Sequence, residues 1–98
     1  MRKLWADYIM YYNYVLFCKS KDKFREFYIG YTRDLKKRLH RHENGEIKST
    51  RGFDKVELIY YEVSLNKKDA LIREKQLKTG FGRGYIKRRL VNYLKTRV

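Results

Sequence analysis

The sequence predicts a small α/β domain of the α+β type: a three-stranded antiparallel or mixed sheet with helices packed on it, in the order β-β-α-β-α-α. Three observations lead there. Three β-rich apolar segments are bounded by turn signals, three segments with helical period carry caps or breakers, and 98 residues leave room for one core. The expected organisation is a single domain over residues 1–98, with its core at about 10–95 and residues 1–9 as an N-terminal appendage that Trp5 could anchor.

The first strand runs from Met10 to Lys19, "MYYNYVLFCK". Tyr12, Tyr14, Leu16 and Cys18 fall on one face and Tyr11, Val15 and Phe17 on the other, so both faces are apolar, as in a central strand. "SKDK" is a polar turn and "FREFYIG" a second strand, giving an antiparallel hairpin that ends where Gly30 permits a sharp turn. Thr32 is the expected N-cap of the first helix. Asp34 suits its first turn, Leu35 and Leu39 mark its apolar stripe, and Asn44-Gly45 stop it. After the basic loop "STRGFD" comes a third strand, "KVELIYYEV". "NKKDALIREKQLKTG" then reads as a second helix capped by Asn66 and terminated by Gly80. The last helix, Arg83 to about Lys95, places Ile86, Leu90, Tyr93 and Leu94 on one face.

Charge narrows the partners. Against 11 acidic residues stand 25 Lys and Arg, a net charge of +14, which points to a polyanion. Aromatic residues make up 16% of the chain, including ten tyrosines, and supply the stacking faces that nucleic-acid binders interleave with positive charge. No apolar run approaches a spanning helix and the N-terminus lacks signal-peptide character, so a soluble, cytoplasmic protein with no membrane partner is expected. The single cysteine, Cys18, excludes an internal disulfide and a thiolate zinc site, and reads as a small buried hydrophobe.

Helix geometry singles out several polar residues. Ala70, Leu71 and Leu77 define the buried stripe of the second helix, and Glu74 falls inside that arc. A carboxylate there needs a partner, either a basic side chain or a divalent cation. On the first helix His42 lies within the Leu35/Leu39 stripe and Arg38 at its border, whereas His40 lies off it. His42 alone fits a packed, satisfied histidine, and Arg38 alone a solvated charge.

In combination these residues resemble the GIY-YIG endonuclease domain. Tyr28-Ile29-Gly30 matches the second signature element and Tyr12-Asn13-Tyr14 stands at the first, keeping its final tyrosine. "YTRDLKKRLHRH" is similar to the family helix whose arginine faces the scissile phosphate, here Arg38, with His42 one turn later. "ALIREKQLK" is similar to the helix that carries the metal-binding glutamate, here Glu74. The resemblance runs from about Met10 to Leu90 and is nearest to stand-alone relatives of the N-terminal nuclease domain of the excision-repair UvrC subunit. Tyr12-Asn13 replaces Gly-Ile, the hairpin between Tyr14 and Tyr28 is longer than usual, and Gln76 stands where many relatives carry asparagine.

The resemblance implies a metal-dependent endonuclease acting on DNA, with RNA a possible substrate, as a monomer or weak homodimer. It assigns Tyr14 as acceptor of the attacking water's proton, Tyr28 to positioning, Arg38 to the phosphate, Glu74 to the metal, and His42 to a phosphate or supporting contact. A lone essential carboxylate suits one Mg²⁺ or Mn²⁺ that keeps several waters. A tyrosine with a pKa of about 10 is a poor base unless positive charge assists it. Beyond Glu74 the chain has eight Lys and Arg and no acidic residue. Arg83, Lys87, Arg88 and Arg89 are therefore expected along a DNA backbone, with Lys48 and Arg51 as further contacts. The glycines of "TGFGRGYIKRR" fit either close phosphate approach or simple capping and loop geometry. The rival reading is a non-catalytic DNA- or RNA-binding module on the same fold.

Overall fold

The computed structural model describes residues 2–96; Met1, Arg97 and Val98, the ends of the expected domain, lie outside the described residues. Strands β1 (Tyr11–Lys19), β2 (Arg25–Thr32) and β3 (Lys55–Ser64) form one antiparallel sheet in the order β2-β1-β3. Helices α1 (Leu35–Glu43), α2 (Lys67–Leu77), α3 (Gly80–Arg89) and α4 (Val91–Lys95) pack around it, so the chain order is β-β-α-β-α-α-α.

β1 takes the centre because both of its faces are apolar, and each face acquires its own core. Val15 and Ile29 meet Leu77 of α2 and Ile86 of α3 on one side. Tyr14, Leu16 and Cys18 meet Leu35 and Leu39 of α1 on the other. Each fully buried aliphatic side chain contributes about 1.5–3 kcal/mol. The Cys18 thiol is pushed up to about 11, first by burial and then by Glu26, as befits an inert packed residue. A register shift between Val15 and Leu16 in the β1–β3 pairing lets both Ile59 and Tyr60 pack against the Val15 core.

A polar clamp ties β3 to the helical layer. Arg73 of α2 donates to Glu62 of β3 through Nε at 2.6 Å and through its second terminal nitrogen at 3.0 Å, and the Tyr60 hydroxyl donates to the same carboxylate at 2.7 Å. The guanidinium also lies over the Tyr85 ring of α3, 4.9 Å from its centroid. With its charges paired and hydrogen-bonded, this cluster fixes the position of α2.

Several local expectations are corrected. The cap of α1 is Asp34, whose carboxylate accepts from the Lys37 amide at 3.0 Å, while Thr32 ends β2 and its hydroxyl braces the Asp34 backbone. Gly30 makes no turn: it lies within β2, paired with Tyr14, and its need for glycine is steric. Gly80 does not terminate α2, which stops at Leu77; Thr79 caps a new helix that begins at Gly80. Gly82 of that helix lies against the Leu77 backbone, where a Cβ would overlap the carbonyl, so its role is close helix packing and not phosphate approach. The last helix breaks at Leu90 into α3 and α4. Leu71 is exposed on α2, leaving Ala70 and Leu77 as its buried residues. Trp5 is 78% exposed in a short 3-10 turn, Trp5–Asp7, and anchors nothing. The Asn66 cap and the Asn44-Gly45 stop are as expected, with Gly45 at φ 72°.

Candidate active site

The site is assembled at the β2 edge of the sheet, on the face covered by α1. In β1, Tyr14 points to that face and its ring runs across the neighbouring strand at Gly30, where even a methyl group would overlap it. Glycine is the one residue that leaves this path open. Tyr28, two positions before Gly30 on the same face, sets its ring 6.2 Å from that of Tyr14.

α1 returns over these rings and delivers His42, which is 3% exposed. Its ring lies edge-on to both tyrosines, with centroids 5.6 Å from Tyr14 and 5.1 Å from Tyr28. His42 Nε2 is 2.8 Å from the Tyr14 hydroxyl, and Nδ1 is 2.6 Å from the Thr50 hydroxyl. Thr50 itself is 1% exposed. Burial, then Arg38 and Arg41, pull the His42 pKa down to about 4, so the ring is neutral at pH 7. The Tyr14 phenol is pushed well above its ordinary value, chiefly by burial and next by Tyr28, and is protonated. With the phenol donating to Nε2, the single ring proton of neutral His42 sits on Nδ1 and donates to Thr50, one of the two arrangements these distances allow. The result is a buried chain of hydrogen bonds, Tyr14 to His42 to Thr50.

Arg38 and Glu74 approach the same tyrosine from two helices. The Arg38 guanidinium lowers the cost of a Tyr14 phenolate, and the Glu74 carboxylate raises it. The helix that carries Glu74 is tied to β1 by the amide of Asn13, which donates to the Ala70 carbonyl at 3.0 Å one helical turn before Glu74. Asn13, the departure from the expected Gly-Ile, is thus a 1%-exposed tie between β1 and α2. Glu74 retains one surface partner, Lys78 Nζ at 3.4 Å from Oε2. Among the described residues no group of three or more His, Cys, Asp or Glu is placed to hold a metal.

A family model, the GIY-YIG catalytic domain, matches residues 10–93. The chain belongs to the GIY-YIG family. It is 43% identical over 67 residues to a UPF0213 protein of Clostridium perfringens, covering 67% of this chain and 70% of that one. A UPF0213 protein of Bacillus pumilus is 41% identical over 70 residues, covering 70% and 67% of the two chains. No solved structure matches significantly. GIY-YIG membership implies a nuclease family, while the name UPF0213 states no activity.

Within this GIY-YIG fold, Tyr14, Tyr28, Arg38, His42 and Glu74 are brought together, and the basic residues divide between two regions. Arg51 lines a cavity of about 490 Å³ with His42 and Thr50, and Lys48 is exposed on the same loop. Arg83 and Lys87 lie instead on α3, beside a groove on the opposite face of the sheet, with Arg88 and Arg89 exposed on that helix. Sequence reasoning missed Thr50, which sits in a loop eight residues after His42 with no periodic signal. It also missed Asn13, visible only as a departure from the signature.

The depressed His42 pKa carries a stability consequence. An unfolded histidine titrates at 6.5 and the folded one at about 4. Between those values the unfolded chain binds more protons, so stability is complete above pH 6.5 and falls as the pH drops toward 4. From pH 7 to pH 5 the wild-type chain is expected to lose about 2 kcal/mol through this group. Urea unfolding of the wild type and of His42→Gln at both pH values checks this, since the variant should lose most of the difference. An equal loss in both chains would show that His42 is not the titrating group.

Proposed function

We propose that this chain is a metal-dependent endonuclease that hydrolyses DNA phosphodiester bonds, using Tyr14, Tyr28, Arg38, His42 and Glu74. The observation that carries the reading is the 2.8 Å hydrogen bond between a buried Tyr14 and a neutral His42, with Arg38 and Glu74 in electrostatic reach. The arrangement answers the difficulty of a tyrosine base. As the Tyr14 oxygen accepts the attacking water's proton, its own proton passes to His42 Nε2, so no free phenolate is required. Thr50 holds the tautomer that leaves Nε2 open. Arg38 offers a planar fork to the non-bridging phosphate oxygens, and Tyr28 orients water or phosphate by hydrogen bonding.

Glu74 is the residue that would hold a single hard divalent ion, Mg²⁺ or Mn²⁺. Such an ion would supply charge neutralisation to the reacting phosphate. Lys78, with a side chain 55% exposed, is a weak competitor, because surface ion pairs contribute less than about 1 kcal/mol. Its contact with Glu74 nonetheless favours one second reading, a DNA- or RNA-binding module in which the lysine occupies the carboxylate permanently.

Supercoiled plasmid separates the two. Nicking in Mg²⁺ or Mn²⁺ that stops in EDTA is the expected result. Salt-sensitive binding with no cleavage in either ion would favour the module.

A further inference from the structure

The sheet face away from Tyr14 carries a groove that the cleavage site does not use. Its floor is Phe17 of β1 and Phe27 of β2, cross-strand partners whose ring centroids are 5.8 Å apart. Arg83 and Lys87 of α3, Leu94 of α4, and Phe24 and Arg25 at the hairpin end complete a cleft of about 530 Å³. That volume falls in the range of ligand-sized clefts, roughly 300–1,000 Å³.

The lining carries three cations, Arg25, Arg83 and Lys87, against one carboxylate, Glu26, while Glu57, beside Phe17 on the same face, is engaged by Lys55 and the Tyr93 hydroxyl. Arg25, Arg83 and Lys87 enter no ion pair among the described residues. Glu26, the one acidic residue of the lining, stands opposite Cys18 in the register and is shared with the other face, where it raises the thiol pKa. Aromatic rings flanked by an excess of cations match a ligand that is both flat and anionic.

We propose that this groove binds an unpaired nucleotide of single-stranded nucleic acid, its base against Phe17 and Phe27 and its flanking phosphates on Arg25, Arg83 and Lys87. A duplex keeps its base faces stacked on one another and offers the cations only phosphate. An acidic peptide satisfies the cations and leaves the rings without a stacking partner. Placement supports a shared substrate as well. β2 is an edge strand, and Phe27 and Tyr28 are adjacent residues pointing to opposite faces. A strand that leaves the Tyr28 face therefore passes over this edge to reach the groove. The inference rests on the nucleic-acid reading of the chain but not on cleavage.

Fluorescence anisotropy in EDTA, with a labelled oligodeoxythymidylate and a labelled duplex of equal length, tests it without cleavage. Phe27→Leu keeps side-chain bulk beside Val15 and Ile29 while removing the ring. It is expected to weaken oligothymidylate binding about tenfold and duplex binding less than twofold. The Arg83→Glu/Lys87→Glu variant alters exposed positions only. It should weaken oligothymidylate binding more than tenfold and flatten its log–log salt slope by about 1.4. Equal losses on both probes with Phe27→Leu, or no loss in either variant, would overturn the proposal. So would displacement of the oligonucleotide by polyglutamate as readily as by unlabelled oligothymidylate, or a self-association that Phe27→Leu abolishes. Loss of plasmid nicking leaves these binding results unaffected, so failure of the cleavage reading and failure of the groove are read separately.

Discussion

Tyr14→Phe is expected to lower the rate of phosphodiester cleavage about a thousandfold while leaving DNA binding unchanged. General acid–base contributions run from roughly a hundredfold to ten-thousandfold, and here the hydroxyl both receives one proton and releases another. The phenyl ring retains the packing over Gly30, so the rate loss should not come from unfolding. The deletion does leave Nε2 of His42 buried without its donor, a cost of about 1–3 kcal/mol that urea unfolding will report. Single-turnover cleavage with binding measured in EDTA distinguishes the cases. Cleavage within tenfold of wild type would transfer the proton-accepting role away from Tyr14, with Tyr28 next in position.

Gly30→Ala should damage activity and stability together. An added Cβ falls 2.6 Å from Tyr14 Cε1 and overlaps Cζ and the hydroxyl oxygen more severely. The Tyr14 ring cannot retreat, because it is 1% exposed and hydrogen-bonded to His42. Overpacking of this kind costs about 1–3 kcal/mol, and relief requires the hydroxyl to leave Nε2, so activity should fall together with stability. Gly52→Ala is the control, since nothing lies within 4 Å of a Cβ there. Urea midpoints and nicking rates of both variants provide the check. A stable, active Gly30→Ala chain would mean that the Tyr14 ring does not occupy this path.

The sheet was legible in the sequence wherever side-chain alternation carried information. The two-faced pattern of β1 placed it centrally, and the inward positions of Glu74 and His42 followed from helical period alone. Contacts between elements that lack a shared period were not legible. Nothing local marks Thr50 as the partner of a histidine on the preceding helix. Gly30 read as a turn because glycine at a strand end usually is one, whereas its neighbour across the sheet dictates the residue here. "KTG" read as a helix stop, although the same Thr79 caps the next helix by accepting from the Gly82 amide at 3.2 Å. The break at Leu90 has no glycine or proline to announce it.

The nuclease reading meets its most direct test in a plasmid nicking assay that compares wild type with Glu74→Gln in Mg²⁺ and in Mn²⁺. Glutamine preserves the shape of the side chain and removes the charge that a divalent ion requires. Metal-dependent nicking by the wild type and at least a hundredfold slower nicking by the variant, with equal DNA binding in EDTA, is the expected result. Equal nicking by the two proteins would contradict a Glu74-centred site.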